Sequence, residues 1–233
     1  MKSFKIAFLY SEGSPSSLRV LNHLLNDHSI EIDTVFVEKA TLQKSFQRTR
    51  NKLFRHGLLS TLKRILSAMH HITFTKDAVP LKGNINTITP PRHIRIRSFD
   101  EIALISPRES FDIFIASTDS FLKRKVFSIP KYGTLNAHPA KNPGFRGLNS
   151  SNRMLKATGN RCITLHLIDE GVDTGPVILY NEIQDIDSCK SSKAREELYS
   201  LHQAAAFADG ITLLAQREQW DFIDTFKEVS NHY

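Results

Sequence analysis

The spacing of apolar and polar residues predicts alternating strands and helices along the chain. Residues 5–10 form a short apolar run, which is typical of a buried strand, and residues 11–15 follow as a turn rich in serine, glycine and proline. Leucines then recur at helical spacing, and residues 30–36 alternate as a second strand. A strand, a helix and a second strand within this length are typical of a βαβ unit, so we expect a largely parallel sheet.

The same alternation continues to the C-terminal end. The predicted strands cover residues 94–97, 111–116, 133–136, 162–167 and 177–180, and the predicted helices cover residues 98–105, 148–157 and 191–216. The helix at 191–216 has an apolar face that would cover the sheet. We therefore expect an α/β fold, a mostly parallel sheet with helices on both faces, in a single domain over residues 1–233.

The basic segment, residues 41–71, has an unusual charge. Its apolar residues predict two amphipathic helices broken near Gly57, and no acidic residue occurs between positions 41 and 76. A solvated helix face explains most such charge runs, and an anion-binding surface is the functional alternative. Residues 80–91 then predict a long irregular loop. The sequence leaves open which of the two explanations holds for the basic segment.

The composition says more about the kind of ligand the protein binds than about the reaction it carries out. The 233-residue chain has a formal net charge of +7 and a sequence pI near 9.4, which favours an anionic ligand. Its two cysteines, Cys162 and Cys189, have neither the spacing of a zinc site nor that of a disulfide framework. The N-terminal residues lack the features of a signal peptide, and no apolar run has the length of a membrane span. We expect a cytoplasmic protein that binds no membrane and no structural metal.

Polar groups that can take part in catalysis follow two of the predicted strands. Asn136 and His138 lie two residues apart at a strand end and so face the same side, and Asp173 lies in the turn after another strand. The amide can donate a hydrogen bond to an oxyanion, the imidazole can move a proton near neutral pH, and the carboxylate can orient the imidazole. These groups suit acyl transfer, although an Asn-x-His pair and an Asp-Thr-Gly turn also occur as purely structural features.

A longer series of motifs makes the pattern specific. Residues 136–139 read N-x-H-P, residues 143–147 read P-x-x-R-G, residues 164–166 read T-x-H and residues 173–176 read D-x-G-P. In this order the motifs resemble the catalytic region of the folate-dependent formyltransferases, which include glycinamide ribonucleotide, methionyl-tRNA and nucleotide-amino-sugar formyltransferases. The resemblance covers about residues 110–180, and it implies a Rossmann-like formyltransferase fold with 10-formyltetrahydrofolate as the formyl donor and no metal.

The resemblance also implies roles for individual residues. Asn136 would donate to the oxyanion, His138 would be the protonated or proton-relaying group, and Asp173 would hold His138 and help to move protons from the amine. The residues implied to bind the formyl donor are Ser117, Thr118, Asp119, Ser120, Leu122, Glu170, Gly171 and Val172. Because His166 lies outside this triad, we expect it to be a strand residue with a satisfied ring rather than a catalyst.

The residues expected to bind the acceptor are Gly13, Ser14 and Arg146. Gly13 and Ser14 precede the first helix, where a phosphate could bind, although a plain turn and helix cap is the simpler explanation. Arg146 belongs to the P-x-x-R-G motif. The methionyl-tRNA branch of the family usually has Ser-Leu-Leu-Pro where residues 140–143 read Ala-Lys-Asn-Pro. This departure affects which acceptor is expected, and it leaves the expected formyl donor unchanged.

Several functions remain after these steps. We expect an N-formyltransferase acting on the primary amine of a small phosphorylated acceptor, with a nucleotide-linked amino sugar favoured and glycinamide ribonucleotide the nearest alternative. A methionyl-tRNA formyltransferase resembles a longer protein with a separate C-terminal β domain, for which we expect no room, and a formyltetrahydrofolate hydrolase resembles a chain with an N-terminal regulatory domain. A noncatalytic folate or nucleic-acid binder is the alternative from another class. Nucleic acid is not the expected partner, and the oligomeric state, a homodimer among the options, stays open.

Overall fold

The strands form one mixed sheet in the computed structural model, which describes residues 3–27, 30–39, 91–105, 111–184, 189 and 191–225. Within these residues the sheet has seven strands in the order β3-β2-β1-β4-β5-β6-β7. The strands are β1 (Ile6–Ser11), β2 (Thr34–Glu38), β3 (Arg92–Ile96), β4 (Ile113–Ser117), β5 (Thr134–His138), β6 (Cys162–Leu167) and β7 (Val177–Glu182). The strands from β3 to β5 pair in parallel, whereas β6 and β7 are antiparallel to their neighbours. The predicted mostly parallel α/β sheet is confirmed.

Helices cover both faces of the sheet because its central strands are apolar on both sides. The helices are α1 (Pro15–Asn26), α2 (Ile102–Ile105), α3 (Arg124–Phe127), α4 (Ser150–Thr158) and α5 (Ser192–Arg217), and a 3-10 turn (Phe99–Glu101) leads into α2. On β4, Ile113 and Ile115 pack with α1 and α5, while Phe114 packs on the opposite face with the 3-10 turn, α2 and α3. Alternate residues of one apolar strand thus supply two cores.

Two details differ from the sequence pattern. The second strand begins at Thr34, so Ile30 and Ile32 are buried in the core but precede the strand. All five residues of β2 are buried because both faces of the strand are covered: Val35 and Val37 pack in the core that includes α1, and Phe36 packs in the core that includes the 3-10 turn. No solvent-facing side remains to match the predicted alternation. The strand predicted at residues 94–97 is present as β3, which lies at one end of the sheet order among the described strands.

Residues 40–89 lie outside the described residues, and with them the predicted helices of the basic segment and nearly all of the predicted loop at 80–91. The described residues belong to one compact unit, formed by residues 1–39 and 90–233. None of the helices in the described part of the chain combines the length and apolar character that crossing a membrane requires.

Candidate active site

Asn136 is held at the centre of the sheet by its neighbours on both sides. Its backbone lies opposite Ala116 of β4 and opposite His166 of β6. Its side-chain Nδ2 donates a hydrogen bond to the Ala116 carbonyl at 3.1 Å. Because a carbonyl oxygen can only accept, this bond fixes the orientation of the amide. The amide nitrogen carries a second hydrogen, which is available to an oxygen atom in the adjoining cleft.

His138 lies at the end of the same strand, and both of its ring nitrogens face acceptors. Nε2 is 2.9 Å from the Phe145 carbonyl oxygen, and Nδ1 is 3.2 Å from Oδ2 of Asp173. The predicted pairing of His138 with Asp173 is therefore present. A neutral imidazole has only one N–H group, so the ring satisfies both acceptors only when it is protonated. The surroundings are suited to a ring that takes up a proton and releases it again.

Asp173 reaches His138 because the turn that carries it is unusually tight. The β6 turn, residues 168–176, returns the chain from β6 to β7, and within it Asp173 has a left-handed backbone conformation with φ 54°. A Cβ at Gly175 would overlap the Leu167 carbonyl oxygen, so only glycine lets the turn lie this close to β6. The Gly147 N–H donates to Oδ2 of Asp173 at 2.8 Å. The P-x-x-R-G and D-x-G-P motifs thus meet at one carboxylate.

His166 also belongs to this group, which the sequence analysis did not predict. Its Nδ1 donates to the Leu167 carbonyl at 2.8 Å, while its buried Nε2 lies 3.8 Å from Oδ1 of Asp173 and makes no hydrogen bond within the described residues. The expectation of a fully satisfied ring is therefore wrong for Nε2. The Asp173 carboxylate lies between two imidazoles, one facing each oxygen. The available signal was the T-x-H motif, whose histidine is paired with Asn136 across β5 and β6.

Burial lowers the pKa of both imidazoles. For His138, burial lowers the pKa below its ordinary value, and this effect outweighs the Asp173 carboxylate and the Phe145 carbonyl, which raise it. For His166, burial again lowers the pKa, against the raising effects of the Leu167 carbonyl and Asp173. The Asp173 carboxylate raises the pKa of His138, but the net shift is downward, because losing water costs the charged ring more than one carboxylate returns. Near neutral pH both resting rings are neutral.

These lowered pKa values predict an acid-sensitive fold. Between the folded pKa values of His138 and His166 and their ordinary value of 6.5, the unfolded chain binds more protons than the native chain. The free energy of unfolding should therefore fall as the pH drops below 6.5. Urea unfolding at several pH values would measure this slope. In a His138→Asn/His166→Asn variant the slope between pH 5 and 6.5 should be shallower; an undiminished slope would assign the acid sensitivity to other groups.

A cleft of about 260 Å³ opens beside Asn136 and Asp173. It lies between the β6 turn and the β4 loop, residues 118–122. Of the residues implied to bind the formyl donor, those that line the cleft are Thr118, Asp119, Ser120, Leu122, Gly171 and Val172. Phe121 and Ile168 add apolar surface, and His166 adds its unsatisfied nitrogen. Apolar walls with a few polar groups suit a flat heteroaromatic ligand such as a pteridine.

Two residues implied to bind the donor lie outside the cleft lining. The Ser117 carbonyl accepts a hydrogen bond from the Ser17 hydroxyl at 2.6 Å, which ties the end of β4 to α1. Glu170 forms an ion pair with Arg124 at 3.2 Å, with both side chains more than two thirds exposed. Such an exposed pair adds little to stability. Neither side chain faces the space that the other six residues enclose.

The residues expected to bind the acceptor are separate from this cleft. Gly13 is exposed with φ 79°, and Ser14 precedes α1 with its hydroxyl 2.8 Å from that of Ser17. Arg146 is exposed and lines a second cleft, of about 310 Å³, together with Asn142 and Thr174. Asn142 donates from Nδ2 to the Asp173 carbonyl at 3.2 Å. Arg146 is thus placed on the other side of the segment that holds Asp173, and its role stays a prediction.

The chain is related to formyltransferases by sequence. Residues 109–208 match the family model described as "Formyl transferase". A methionyl-tRNA formyltransferase of Caldicellulosiruptor saccharolyticus is 33% identical over 156 residues, which cover 65% of this chain and 43% of the relative. One from Clostridium perfringens is 31% identical over 125 residues, covering 52% of this chain and 38% of the relative. Residues 109–208 are thus similar to the formyltransferases, and the resemblance that the motifs of this region indicated is confirmed.

Solved structures show the same fold at low sequence identity. A phosphoribosylglycinamide formyltransferase from Anaplasma phagocytophilum matches with a TM-score of 0.57 at 17% identity, over 93% of this chain and 88% of that one. A 4-N formyltransferase from Francisella tularensis matches with a TM-score of 0.54 at 12% identity, over 95% of this chain and 73% of that one. The chain spans about two fifths of the length of the curated relatives that it matches and most of these two structures. The formyltransferase fold is confirmed.

Proposed function

We propose that this protein transfers a formyl group from 10-formyltetrahydrofolate to the primary amine of a small phosphorylated acceptor, most simply a nucleotide-linked amino sugar. The observation that carries the proposal is that Asn136 and Asp173 line one cleft with six of the residues implied to bind the donor, and that Asp173 contacts His138. The donor supplies a formyl carbon bonded to a nitrogen that can leave. The remaining chemistry is carried by side chains of the chain itself.

Asn136 would stabilise the negative charge that develops on the formyl oxygen. The Ala116 carbonyl already holds the amide in place, so little reorganisation is needed when the charge forms. The second amide hydrogen then donates to that oxygen. Fixed donors of this kind are effective because their orientation is established before the reaction, in a site that largely excludes water.

His138 and Asp173 would move the proton that the acceptor amine gives up. In transfer, the neutral amine forms a bond to the formyl carbon, the bond from that carbon to the donor nitrogen breaks, and one proton passes from the amine to the leaving nitrogen. His138 rests as a neutral ring, so it can accept this proton, and the Asp173 carboxylate at 3.2 Å stabilises the cation that forms. The lowered pKa favours the proton-relaying role over a permanently charged ring.

Two other acceptors are the alternatives. The curated relatives are named methionyl-tRNA formyltransferases, which favours a charged tRNA as acceptor. The matched structure of a phosphoribosylglycinamide formyltransferase supports the fold, and glycinamide ribonucleotide remains the nearest small-molecule alternative. All three acceptors combine a primary amine with phosphate, which suits a chain of net charge +7.

One assay tests the class and the acceptor together. The protein is incubated with 10-formyltetrahydrofolate and, separately, with nucleotide-linked amino sugars, glycinamide ribonucleotide or charged methionyl-tRNA, and release of tetrahydrofolate is followed. A rate that depends on one acceptor supports a formyltransferase and identifies its substrate. Release of formate without any amine would instead indicate a hydrolase. Tight folate binding without turnover would indicate the noncatalytic binder.

The basic segment gives a salt-dependent prediction. If its positive charge contacts the acceptor, an Arg48→Glu/Arg55→Glu variant should bind the acceptor more weakly, and its affinity should depend less on salt, since screening acts over about 8 Å at physiological ionic strength. A Lys5→Glu/Lys131→Glu variant is the matched control. Both lysines are exposed and precede strands, so they lie at the edge of the sheet opposite the candidate active site. Equal acceptor affinity in the two variants would support the solvated-face interpretation.

A further inference from the structure

We propose that Glu38 is a positioning residue for the formyl donor, and that it acts by fixing the β4 loop through a directed chain of hydroxyl groups. This inference rests on the proposed function. Glu38 ends β2 and is only 2% exposed, and it does not line the donor cleft. No motif of the sequence analysis included it. Its carboxylate nevertheless contacts Ser120 directly and reaches Thr118 through Ser11, and both of those residues line the cleft.

The contacts of Glu38 connect three neighbouring strand ends. Its Oε2 accepts a hydrogen bond from the Ser11 hydroxyl at the end of β1, at 3.0 Å, and one from the Ser120 hydroxyl in the β4 loop, at 2.6 Å. The shorter distance lies in the range of a charge-assisted O–H···O⁻ bond. Ser11 is also 2.7 Å from the Thr118 hydroxyl, and the Ser120 N–H donates to Thr118 Oγ1 at 3.0 Å.

The acceptor character of the carboxylate gives this network one direction. Ser11 has a single hydroxyl proton and uses it toward Glu38, so Thr118 must be the donor in the Thr118–Ser11 contact. Thr118 then accepts from the Ser120 N–H, and Ser120 gives its own hydroxyl proton to Glu38. Each hydroxyl therefore donates once, and Glu38 Oε2 receives the two protons that end the chain. The Ser11 and Ser120 hydroxyls also lie 3.3 Å apart, and both direct their protons to this one carboxylate oxygen.

Fixing these hydroxyls fixes the wall of the donor cleft. Thr118 and Ser120 line the cleft, as do Asp119, Phe121 and Leu122 of the same loop. Phe121 is 63% exposed, so the loop does not gain its order from burying that ring. A loop that is ordered before binding loses less conformational entropy when the ligand arrives. Loss of the Glu38 charge should therefore weaken donor binding more than it slows the chemical step, which depends on Asn136, His138 and Asp173.

The test uses Glu38→Gln, which keeps the size of the side chain and one oxygen acceptor but removes the charge. We expect the dissociation constant for 5-formyltetrahydrofolate, a stable reduced-folate probe, to rise by roughly tenfold, because hydrogen bonds to charged groups are about twice as strong as neutral ones. The Ser120 amide should exchange with solvent on the order of tenfold faster in the free protein. Turnover at saturating formyl donor should stay within about twofold of the original chain.

A double variant and a control separate positioning from general damage. Because Glu38 acts through Ser120, Glu38→Gln/Ser120→Ala should bind the probe about as weakly as Ser120→Ala alone. Ser200→Ala, which removes a buried hydroxyl bonded to the Glu196 carbonyl on α5, should leave probe binding and Ser120 exchange unchanged. Normal probe affinity and normal Ser120 exchange in folded Glu38→Gln would overturn the proposal.

The outcomes also distinguish this proposal from the proposed function. If the original chain fails to bind 5-formyltetrahydrofolate, the proposed function fails, and the exchange measurement alone decides the role of Glu38. Faster exchange of the Ser120 amide in Glu38→Gln would then still support the positioning of the β4 loop, and unchanged exchange would overturn it. A further outcome is that the original chain binds the probe while Glu38→Gln/Ser120→Ala loses probe affinity by the product of the two single-variant losses. In that case Glu38 and Ser120 act independently and the proposal is wrong.

Discussion

Replacing Asn136 with alanine should lower turnover by about a hundredfold to a thousandfold while leaving donor affinity nearly unchanged. The substitution removes the amide that would stabilise the charge on the formyl oxygen, and loss of one such donor has an effect of this size. The expected pattern is a fall in kcat with little change in KM for the donor, because the hydrogen bond forms fully only in the transition state. Steady-state kinetics with a saturating acceptor would measure it.

Asn136→Asp provides the sharper comparison. It has nearly the same size, but its carboxylate cannot donate to the Ala116 carbonyl, which Nδ2 contacts at 3.1 Å. It should be at least as inactive as the alanine variant, since it places negative charge where the oxyanion would form. Near-normal turnover in either variant would mean that another group stabilises the oxyanion, and the assignment of Asn136 would be wrong.

Replacing Asp173 with asparagine should cost on the order of a hundredfold to ten-thousandfold in turnover, the usual range for losing positioned proton transfer. Asp173 raises the pKa of His138 against the larger effect of burial, so without it the ring should protonate only at still lower pH. The proposed relay starts from the neutral ring, so activity that depends on His138 is present above that pKa and is lost as the pH falls through it. This loss should therefore begin at lower pH in Asp173→Asn than in the original chain.

Two measurements together test the pairing. NMR titration of the His138 imidazole follows its pKa directly, and single-turnover rates against pH with one acceptor follow its consequence. The acceptor amine must itself be neutral to react, so its ionisation also contributes to the acidic limb, and the full profile is a property of the complex. An imidazole pKa that is unchanged or raised in Asp173→Asn would contradict the pairing even if the variant were inactive. His166→Asn serves as a comparison, since it removes the neighbouring imidazole and leaves the contact between His138 and Asp173 in place.

The sequence by itself determined the elements of the sheet and part of the site. Periodicity identified the strand at 162–167 with the bounds that the structure has, and the long C-terminal helix to within one residue. Asn136 and His138 could be placed on one side of a strand because successive residues of a strand alternate between its faces. The ordered motifs then showed the resemblance to the formyltransferases and added Asp173 to the candidate site.

Only the tertiary structure decided how the groups act on one another. The partners of Asp173 depend on its left-handed backbone, on the close approach that Gly175 permits, and on an antiparallel register that puts His166 opposite Asn136. None of these is a local property of the sequence. The net direction of the His138 pKa likewise follows from burial, which a spacing of residues does not measure. Glu38 contacts the loop that lines the cleft because parallel strands that are distant in sequence end at the same edge of the sheet.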